Sequence, residues 1–523
     1  MFIREEQIKK LAQTSNWDVI IIGGGATGLG IAIDSASRGY TTLLLEQVDF
    51  AKGTSSRSTK LVHGGVRYLA QGHLDLVREA LHERGLLLIN ASHLVSNQSF
   101  IIPAYSWWDR IKYILGLKFY DLLSGRLSFG KSYWINLKNT HKAVPYLKND
   151  KLKGSILYHD GQFDDARLAL NMAQTAIEQG ATVLNHFEVT GLKKDATGQI
   201  IGVTALDRET NVSYSFKSKV IINATGVFAN EVLKMDDKNN PDMVRPSQGI
   251  HLVVDRSFFP GNNALMIPKT KDERVLFIVP WHDKLLMGTT DTLLESYSPE
   301  PEPLEKEIDF ILETANHYLT KKILKTDIKS VFAGLRPLAA PKNNTEKTKE
   351  ISRSHKILVS KSGLITITGG KWTTYRKMAE DTINKAIAIS KLPQAPCKTK
   401  KIKLHGALTS QNFTDHLYIY GSDKPKLLDM MKKHPYLSEK LHPELPYTIA
   451  EVEWAVKHEM ARTVEDVLAR RVRLLFLDAQ AAIESAPVVA EIIARTNNFD
   501  KNWKEQQIEE FTALANQYLL QAK

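Results

Sequence analysis

A short segment near the N-terminus holds many side chains that can donate hydrogen bonds. Thr54 to Leu69 reads TSSRSTKLVHGGVRYL and combines hydroxyls, a lysine, a histidine, a glycine pair, an arginine and a tyrosine. No simple core helix or strand is composed in this way. The spacing alone leaves two interpretations open: a loop whose donors serve a bound ligand, or an ordinary polar loop whose arginine pairs with a carboxylate.

A second chemical signature precedes this segment. Gly23-x-Gly25-x-x-Gly28 follows an apolar run, and Glu46 ends the next apolar run eighteen residues after Gly28. Glycines at these positions let a pyrophosphate approach the backbone, and a helix N-terminus adds N–H groups and a positive dipole. Glu46 can accept hydrogen bonds from ribose hydroxyls, which favours FAD or NAD over NADP. The pattern predicts a dinucleotide site.

Two distant segments favour FAD over NAD. Lys219–Asn230, KVIINATGVFAN, is a predicted strand that ends in Ala-Thr-Gly. Gly363–Ala386 is a predicted strand, then Gly369 and Gly370, then a predicted helix. The chain therefore has three strand–glycine–helix junctions, whereas a nicotinamide domain needs one. A flavin held lengthwise uses more, including a helix N-terminus that faces the negative end of the reduced ring.

The residues around the first junction form a predicted βαβ unit. The chain is long enough to contain further domains. Val19–Ile22 and Thr42–Leu45 are predicted strands, and Ile31–Arg38 is a predicted helix between them. A length of 523 residues indicates two or three domains. The single cysteine, Cys397, rules out an internal disulfide and fits a reducing compartment. No secretory signal and no transmembrane helix are expected.

The remaining segments suggest a substrate region and a helical tail. Residues 81–154 are rich in aromatic and basic side chains, and residues 241–330 contain strand-like runs such as RVLFIVPW. Insertions of this kind usually cover the cofactor and form the substrate pocket. After a basic linker at Lys391–Gly406, apolar residues spaced by three and four follow a capping box at Thr448 and Glu451. This pattern predicts a C-terminal helical region.

The net charge of +11 favours anionic partners: phosphorylated metabolites, anionic lipid or nucleic acid. An ordinary lysine-rich surface is the alternative. The excess of positive charge is spread along the chain, which argues against nucleic acid.

The segment Trp107–Arg126, WWDRIKYILGLKFYDLLSGR, fits both an interfacial membrane helix and a buried helix of the substrate domain. No histidine cluster has ligand spacing, so no metal is predicted.

Taken in order, these segments resemble the FAD-dependent glycerol-3-phosphate dehydrogenases and oxidases, nearly end to end. The likeness rests on Gly23–Gly28 with Glu46, on Thr54–Leu69, FDDARL, INATG, VFAGLRPL, GGKWTTYRKMAE and EMARTVEDVLARR. It implies an α/β plus α fold: a glutathione-reductase-like FAD-binding domain, an inserted antiparallel-sheet substrate domain and a C-terminal helical domain. The expected boundaries are 15–80, 155–240 and 331–390 for the FAD-binding domain, 81–154 and 241–330 for the substrate-binding domain, and 405–523 for the helical domain.

The resemblance also implies which residues contact FAD. The Thr54–Leu69 segment is expected to pass under the flavin and continue into the substrate site. The implied cofactor-binding residues are Gly23, Gly25, Ala26, Thr27, Gly28, Glu46, Thr54, Ser55, Ser56, Lys60, Leu61, His63, Gly64, Gly65, Val189, Ala224, Thr225, Gly226, Gly334, Arg336, Gly370, Lys371, Trp372, Thr373 and Thr374.

The implied reaction converts sn-glycerol 3-phosphate to dihydroxyacetone phosphate by hydride transfer to FAD. The substrate hydroxyl needs a base, and His251 matches the family position, with His63 as its rival. The phosphate dianion needs planar bidentate donors, for which Arg336 and Arg67 are expected, supported by Arg353. Tyr68 is expected to contact the substrate, and the charge of Lys371 to stabilise the developing alkoxide. Each of these histidines and arginines could instead have a purely structural role.

The expected electron acceptor is the quinone pool, since the chain lacks the long insertion that some oxidases of the family carry. The protein is then expected in the cytoplasm, peripherally attached to the inner face of the cytoplasmic membrane, without nucleic acid; a homodimer is left open. Two alternatives remain: a glycerol-3-phosphate oxidase that produces hydrogen peroxide, and another FAD-dependent oxidase of this fold that acts on an amine or a hydroxy acid. The second predicts no phosphate pocket.

Overall fold

The computed structural model describes residues 2–70, 72–270, 274–339, 354–409 and 412–520, except the side chains of Arg67 and Ala70. The strands in these ranges are β1 Asn16–Ile22, β2 Thr42–Leu45, β3 Leu61–Val62, β4 Ser96–Ala104, β5 Tyr133–Asn136, β6 Gly154–Gln162, β7 Thr182–Leu184, β8 Phe187–Lys194, β9 Ile200–Asp207, β10 Val212–Asn223, β11 Val244–Asp255, β12 Ala264–Ile267, β13 Leu276–Trp281, β14 Lys284–Gly288, β15 Thr292–Leu293, β16 Ile328–Ala339, β17 Lys356–Val359 and β18 Ile365–Thr368.

The α-helices of the same ranges are α1 Arg4–Gln13, α2 Ala26–Ser37, α3 Val66–Ala70, α4 Leu74–Asn90, α5 Trp107–Ser124, α6 Leu137–Ala143, α7 Asp165–Glu178, α8 Ala229–Asp236, α9 Glu305–Tyr318, α10 Tyr375–Ser390, α11 Lys424–Lys433, α12 Ile449–His458, α13 Leu474–Leu477, α14 Ala479–Asn497 and α15 Lys501–Asn516. Single 3-10 turns occupy Thr54–Ser56, Gly226–Phe228 and Trp372–Thr374, and a π-helix spans Asp466–Arg471. None of the described helices is long and apolar enough to cross a membrane.

The first sheet carries the three junctions. Its order is β17-β18-β10-β1-β2-β7, with β8 and β9 extending from β10. Strands β18, β10, β1, β2 and β7 run parallel. Residues Val19–Ile22 of β1 are buried, as is usual for a central parallel strand covered by helices. Helices α2, α7 and α10 supply that cover from one hydrophobic cluster. Parallel order brings the carboxyl ends of these strands to one edge, where the glycine junctions follow.

The second sheet is mostly antiparallel, in the order β15-β11-β14-β13-β12-β4-β6-β3, with β16 on β11 and β5 on β6. Its longest pairing joins β11 to β16, from Val244↔Ala339 to Val254↔Ile328. Helix α9 packs Ile308, Ile311 and Leu312 against one face of this sheet. The expected inserted antiparallel sheet is therefore present.

Three strands lie on the other side of the expected domain boundaries. The sequence placed residues 61–62, 155–162 and 331–339 with the FAD-binding domain. In the structure, β3 pairs with β6, β6 pairs with β4, and β16 pairs with β11, so all three belong to the second sheet. The backbone groups of these largely buried strands need hydrogen-bond partners, which the neighbouring strands supply. We reassign these three strands and keep the three-part division as a proposal.

The C-terminal region is helical, with its own hydrophobic cluster built from α12 to α15. The capping box is present, because the backbone N–H of Thr448 donates to Glu451 at 2.8 Å. The apolar pattern from Ile449 to Val467 does not form one helix, however. Helix α12 ends at His458, and Met460 follows with φ of +53° before the chain enters the π-helix. Glu459 accepts a 2.5 Å bond from the buried Arg167, which holds the chain at this break.

Candidate active site

Residues of both sheets line a cavity of about 530 Å³. The three strand–glycine–helix junctions contribute Gly25, Thr225 and Gly370 to its wall, and the second sheet contributes His251 and Arg336. The cavity therefore joins the dinucleotide elements predicted from the sequence to the residues expected to contact a substrate.

The first junction leaves backbone N–H groups at the cavity. Gly23 has φ of +109°, and a Cβ on Gly28 would lie 1.9 Å from the carbonyl oxygen of Gly23, so neither position accepts a side chain without displacement. Helix α2 starts at Ala26 without a side-chain cap from Gly25. The Ala26 N–H donates to the Ser55 hydroxyl at 2.9 Å instead. The N-terminus of a helix, with its backbone N–H groups and positive dipole, can bind a pyrophosphate.

Glu46 lies at the carboxyl end of β2 and lines the same cavity. Its carboxylate accepts from the backbone N–H groups of Gly24 at 2.6 Å and Val48 at 3.0 Å. Burial raises the pKa of the Glu46 carboxyl above its usual value, and the two N–H bonds oppose that shift. The carboxylate is thus fixed at the position where a ribose would need an acceptor.

The third junction is tied to the Thr54–Leu69 segment. The indole Nε1 of Trp372 donates to the carbonyl oxygen of Ser55 at 2.9 Å. The backbone N–H of His63 donates to the Thr373 hydroxyl at 3.2 Å. Gly369 and Gly370 both have positive φ, +77° and +75°, which lets the chain turn from β18 towards the helix. The donor-rich segment therefore lies at the cavity wall, but it is not one loop, because it contains a 3-10 turn, β3 and most of α3.

Most of the predicted cofactor residues line the cavity. These are Gly23, Gly25, Ala26, Thr27, Glu46, Thr54, Ser55, Leu61, His63, Gly65, Val189, Ala224, Thr225, Gly226, Gly334, Arg336, Gly370, Lys371, Trp372 and Thr373. Five others do not: Gly28, Ser56, Lys60, Gly64 and Thr374.

Lys60 needs the largest correction, because its side chain does not face the cavity. It is fully buried, and its ammonium donates to Asp165 at 2.7 Å and to the Ser56 carbonyl at 2.7 Å. Burial lowers the pKa of Lys60 to about 7, against the opposing effect of Asp165. The ammonium also lies 5.1–5.4 Å from the centroids of three aromatic rings.

Packing or local hydrogen bonding explains why the other four residues, Gly28, Gly64, Ser56 and Thr374, do not line the cavity. Gly28 lies against Gly23, and a Cβ on Gly64 would lie 2.3 Å from Leu81. The Ser56 side chain is buried, and the Thr374 hydroxyl donates to the Lys371 carbonyl at 3.3 Å.

Of the predicted substrate residues, Tyr68, His251, Arg336 and Lys371 line the cavity. The Lys371 ammonium lies 3.8 Å from the centroid of the Tyr68 ring. The Arg336 guanidinium donates to the carbonyl oxygens of Thr290 at 2.8 Å and Gln248 at 3.2 Å. The side chain of Arg67 lies outside the described part of the structure.

Arg353, the remaining predicted phosphate residue, also lies outside the described residues. His251 is the most enclosed of the predicted group. Its Nε2 is 2.9 Å from the Thr59 hydroxyl oxygen, and its ring stacks on Phe332 with centroids 5.0 Å apart. Burial, with the nearby charges of Lys60 and Arg336, holds the pKa of His251 well below its usual value. The imidazole is therefore neutral and can accept a proton.

Sequence reasoning missed several polar residues that line the cavity. Arg57 and Thr59 lie within the segment that the sequence singled out, but no known role pointed to them. Arg57 is held by Glu300 at 2.6 Å and by the carbonyl oxygen of Ala333 at 3.2 Å. Lys52 and Arg274 also line the cavity, and neither belongs to a motif that could have identified it.

The chain matches two family models and several characterised relatives. Residues 18–376 match the FAD dependent oxidoreductase family, and residues 365–506 match the C-terminal domain of alpha-glycerophosphate oxidase. The mitochondrial glycerol-3-phosphate dehydrogenase of Macaca fascicularis is 40% identical over 97% of this chain and 74% of its own length. That of Schizosaccharomyces pombe is 38% identical over 95% of this chain and 87% of its own.

A solved structure agrees over the whole chain. The glycerol-3-phosphate dehydrogenase from Bacillus halodurans, complexed with FAD, superposes with a TM-score of 0.81 at 29% identity and covers 100% of both chains. The close approach of Gly23 to Gly28, the N-terminus of α2 beside Gly25 and the fixed Glu46 fit the phosphates and ribose of such a cofactor. FAD is the cofactor of this fold, and the chain belongs to the family of FAD-dependent glycerol-3-phosphate dehydrogenases.

Proposed function

We propose that this chain oxidises sn-glycerol 3-phosphate to dihydroxyacetone phosphate, as the names of its relatives suggest. The observation that carries the proposal is the shared cavity, which His251, Lys371 and Arg336 line together with the dinucleotide junctions. When bound, FAD supplies the hydride acceptor. The chain's own residues must bind the phosphate, orient the alcohol and remove its proton.

Arg336 is our first choice for the phosphate. Its guanidinium is fixed by two backbone carbonyls, that of Gln248 on β11 and that of Thr290 between β14 and β15, so its plane is set before the substrate arrives. Asp291 lies 3.5 Å from the same guanidinium, which allows the ordinary ion-pair role that the sequence left open. A planar guanidinium binds two phosphate oxygens at once, and this supports the phosphate role. Arg67 and Arg353 stay predictions.

His251 is our choice for the base that removes the hydroxyl proton, because its imidazole lines the cavity and is neutral. The lowered pKa of His251 weakens it as a base, and the negative charge of the bound phosphate offsets that effect. His63 remains the rival, since it also lines the cavity. Lys371, held over Tyr68, places a positive charge at the cavity wall, where it would stabilise a developing alkoxide. A low-dielectric wall strengthens that stabilisation.

The reaction can be tested without a coupled assay. Under anaerobic conditions, glycerol 3-phosphate should bleach the oxidised flavin bands of the holoenzyme, whereas glycerol at the same concentration should not. Dithionite serves as the control for complete reduction. Equal bleaching by glycerol would remove the phosphate-site argument, and no bleaching by glycerol 3-phosphate would overturn the proposal.

We further propose that the enzyme attaches peripherally to the inner face of the cytoplasmic membrane and passes electrons to quinone. The support is helix α5, which leaves a row of large apolar side chains exposed by 40–80%. That row consists of Trp107, Trp108, Ile111, Leu115, Phe119 and Leu122. Leu117, Tyr120 and Ser124 form the buried side of the helix. An apolar row with basic neighbours such as Lys112 and Lys118 fits an anionic lipid surface better than the buried helix considered from the sequence.

The acceptor and the oligomeric state need their own measurements. Peroxide formed per glycerol 3-phosphate oxidised in air distinguishes the two acceptors: a ratio near zero supports quinone, and a ratio near one would assign the oxidase reaction. The homodimer stays open, as in the sequence analysis.

A further inference from the structure

We propose that the hydroxyl of Thr59 carries the proton of the substrate alcohol to His251; this rests on the oxidation of glycerol 3-phosphate proposed above. The reason is that His251 is poorly placed to take the proton directly. Its side chain is only 3% exposed. Its Nδ1 atom is buried and has no hydrogen-bond partner among the described residues. Only Nε2 can therefore exchange a proton with the cavity.

The ring cannot turn to present another atom. Phe332, its neighbour on β16, stacks on one face with an angle of 19° between the planes. Gly288, its neighbour on β14, lies against the edge, where a Cβ would be 2.3 Å from Cδ2 and 2.9 Å from Nε2. Both neighbours belong to paired strands, so the position of the imidazole is set by the sheet.

Thr59 is the cavity-lining residue that is hydrogen-bonded to Nε2. Its Oγ1 lies 2.9 Å from Nε2, within hydrogen-bond distance. Thr59 is half-buried and lines the cavity, whereas His251 is almost fully enclosed. A hydroxyl both donates and accepts, so it can pass a proton without a net change in its own state. The neighbouring hydroxyl of Ser58 cannot do this, because it donates to Asp165 at 2.7 Å.

The step balances as follows. The substrate O–H bond breaks and its proton joins Thr59 Oγ1, while the proton of Thr59 moves to His251 Nε2. The carbon–hydrogen bond pair leaves as hydride to bound FAD, and the electron pair of the broken O–H bond forms the carbonyl. The charges of Lys60 and Arg336 oppose an imidazolium, and the two negative charges of the bound phosphate offset them. The proton later leaves His251 by the same path.

The test compares variants with and without the hydroxyl. In anaerobic stopped-flow experiments, Thr59→Val and Thr59→Ala should lower the limiting rate of flavin bleaching by about 100-fold, the lower range for general base catalysis. Thr59→Ser should keep the rate within about threefold, by the same reasoning. The concentration of glycerol 3-phosphate at half-maximal rate should barely change, since the phosphate contacts are intact. A proton inventory in mixed light and heavy water should curve for the wild type and for Thr59→Ser, because two protons move together.

Controls separate this proposal from the previous one. Thr320→Val removes an exposed hydroxyl far from the cavity and should leave every rate unchanged. Dithionite bleaching gives the FAD content of each variant, and Thr59→Ala serves if Thr59→Val fails to hold FAD. A wild type that glycerol 3-phosphate cannot bleach would end the proposed function itself. If the wild type bleaches, a rapid Thr59→Val, a Thr59→Ser as slow as Thr59→Val, or a linear proton inventory would each overturn the relay.

Discussion

The guanidinium of Arg471 donates two hydrogen bonds to the carboxylate of Asp49, at 2.6 and 3.0 Å. Both side chains are at most 1% exposed. Asp49 lies in the segment that follows β2 and Glu46, and Arg471 ends the π-helix of the C-terminal region. Arg470 adds a third bond to the same carboxylate at 2.5 Å. The C-terminal region therefore holds the loop that follows Glu46.

Removing Asp49 should destabilise the whole protein. In Asp49→Ala, two buried guanidinium groups lose a partner, and breaking a buried pair costs about 3–5 kcal/mol. We expect a fall of several degrees in Tm and weaker retention of FAD, measured by thermal unfolding and flavin release. Asp429→Ala is the matched control: it breaks the exposed pair with Lys433, which has a similar distance of 2.6 Å. Exposed pairs contribute about 0–1 kcal/mol, so equal losses in both variants would contradict the proposed role of burial.

The sequence predicted the local junctions well, because glycines and capping residues act over a few positions. The capping box at Thr448 and Glu451, and the strand that leads to Gly23, are examples. Pairings between distant strands were not predictable, so the sequence assigned β3, β6 and β16 to the wrong domain. Ion pairs between residues distant in the sequence were not predictable for the same reason. Nothing near Lys60 in the sequence indicates that its ammonium pairs with Asp165, more than a hundred residues away.

The cofactor cradle should not tolerate a methyl group at Gly28. A Cβ there would lie 1.9 Å from the carbonyl oxygen of Gly23, which is backbone and cannot move aside. We expect Gly28→Ala to be purified with little FAD, seen as loss of the flavin absorbance relative to protein. Gly116→Ala is the control, since a Cβ there meets nothing within 4 Å. Full flavin content in Gly28→Ala would show that the turn between β1 and α2 is looser than the structure indicates.

The histidine between Glu178 and Asp423 should make stability depend on pH. Burial lowers the pKa of His405, but bonds to Asp423 at 2.7 Å and Glu178 at 2.5 Å outweigh that effect and raise it to about 9. The charged form is therefore favoured in the folded state. The resulting stability is fully present below the ordinary histidine pKa of about 6.5 and is lost as pH rises through about 9.

We accordingly expect Tm to fall between pH 6 and pH 10, and His405→Gln to remove that part of the fall. The His405→Gln variant should also be less stable than the wild type at pH 6. At pH 10 the two proteins should differ little. A wild type and variant with parallel Tm curves over this range would show that His405 is not charged in the folded protein.

The exposed row on helix α5 should govern binding to lipid. Trp108 and Leu122 are 80% and 74% exposed, so replacing both by serine removes apolar area without opening the core. The wild type should sediment with anionic vesicles and be released by high salt, while Trp108→Ser/Leu122→Ser should stay in solution. Leu428→Ser, another exposed leucine on a different helix, is the control. If sedimentation depends neither on the substitution nor on the lipid charge, helix α5 does not bind lipid and has a structural role.

Arg336→Lys should weaken the use of substrate far more than the binding of FAD. The substitution keeps the positive charge but removes the planar fork that can bind two phosphate oxygens. One charge-assisted hydrogen bond contributes roughly 1.5–3 kcal/mol, so kcat/KM should fall by about tenfold to a hundredfold. Most of the loss should appear in KM, because the phosphate is remote from the reacting carbon and is bound alike in the ground and transition states.

The control for Arg336→Lys is a second measurement on the same variant, its binding of FAD. Its flavin spectrum and FAD content should match those of the wild type, because the cradle at Gly23 and Glu46 is built from other strands. A variant with a normal KM for glycerol 3-phosphate would show that Arg336 is not the phosphate ligand. A variant that loses FAD would show instead that its bonds to the carbonyl oxygens of Gln248 and Thr290 hold the cavity wall together.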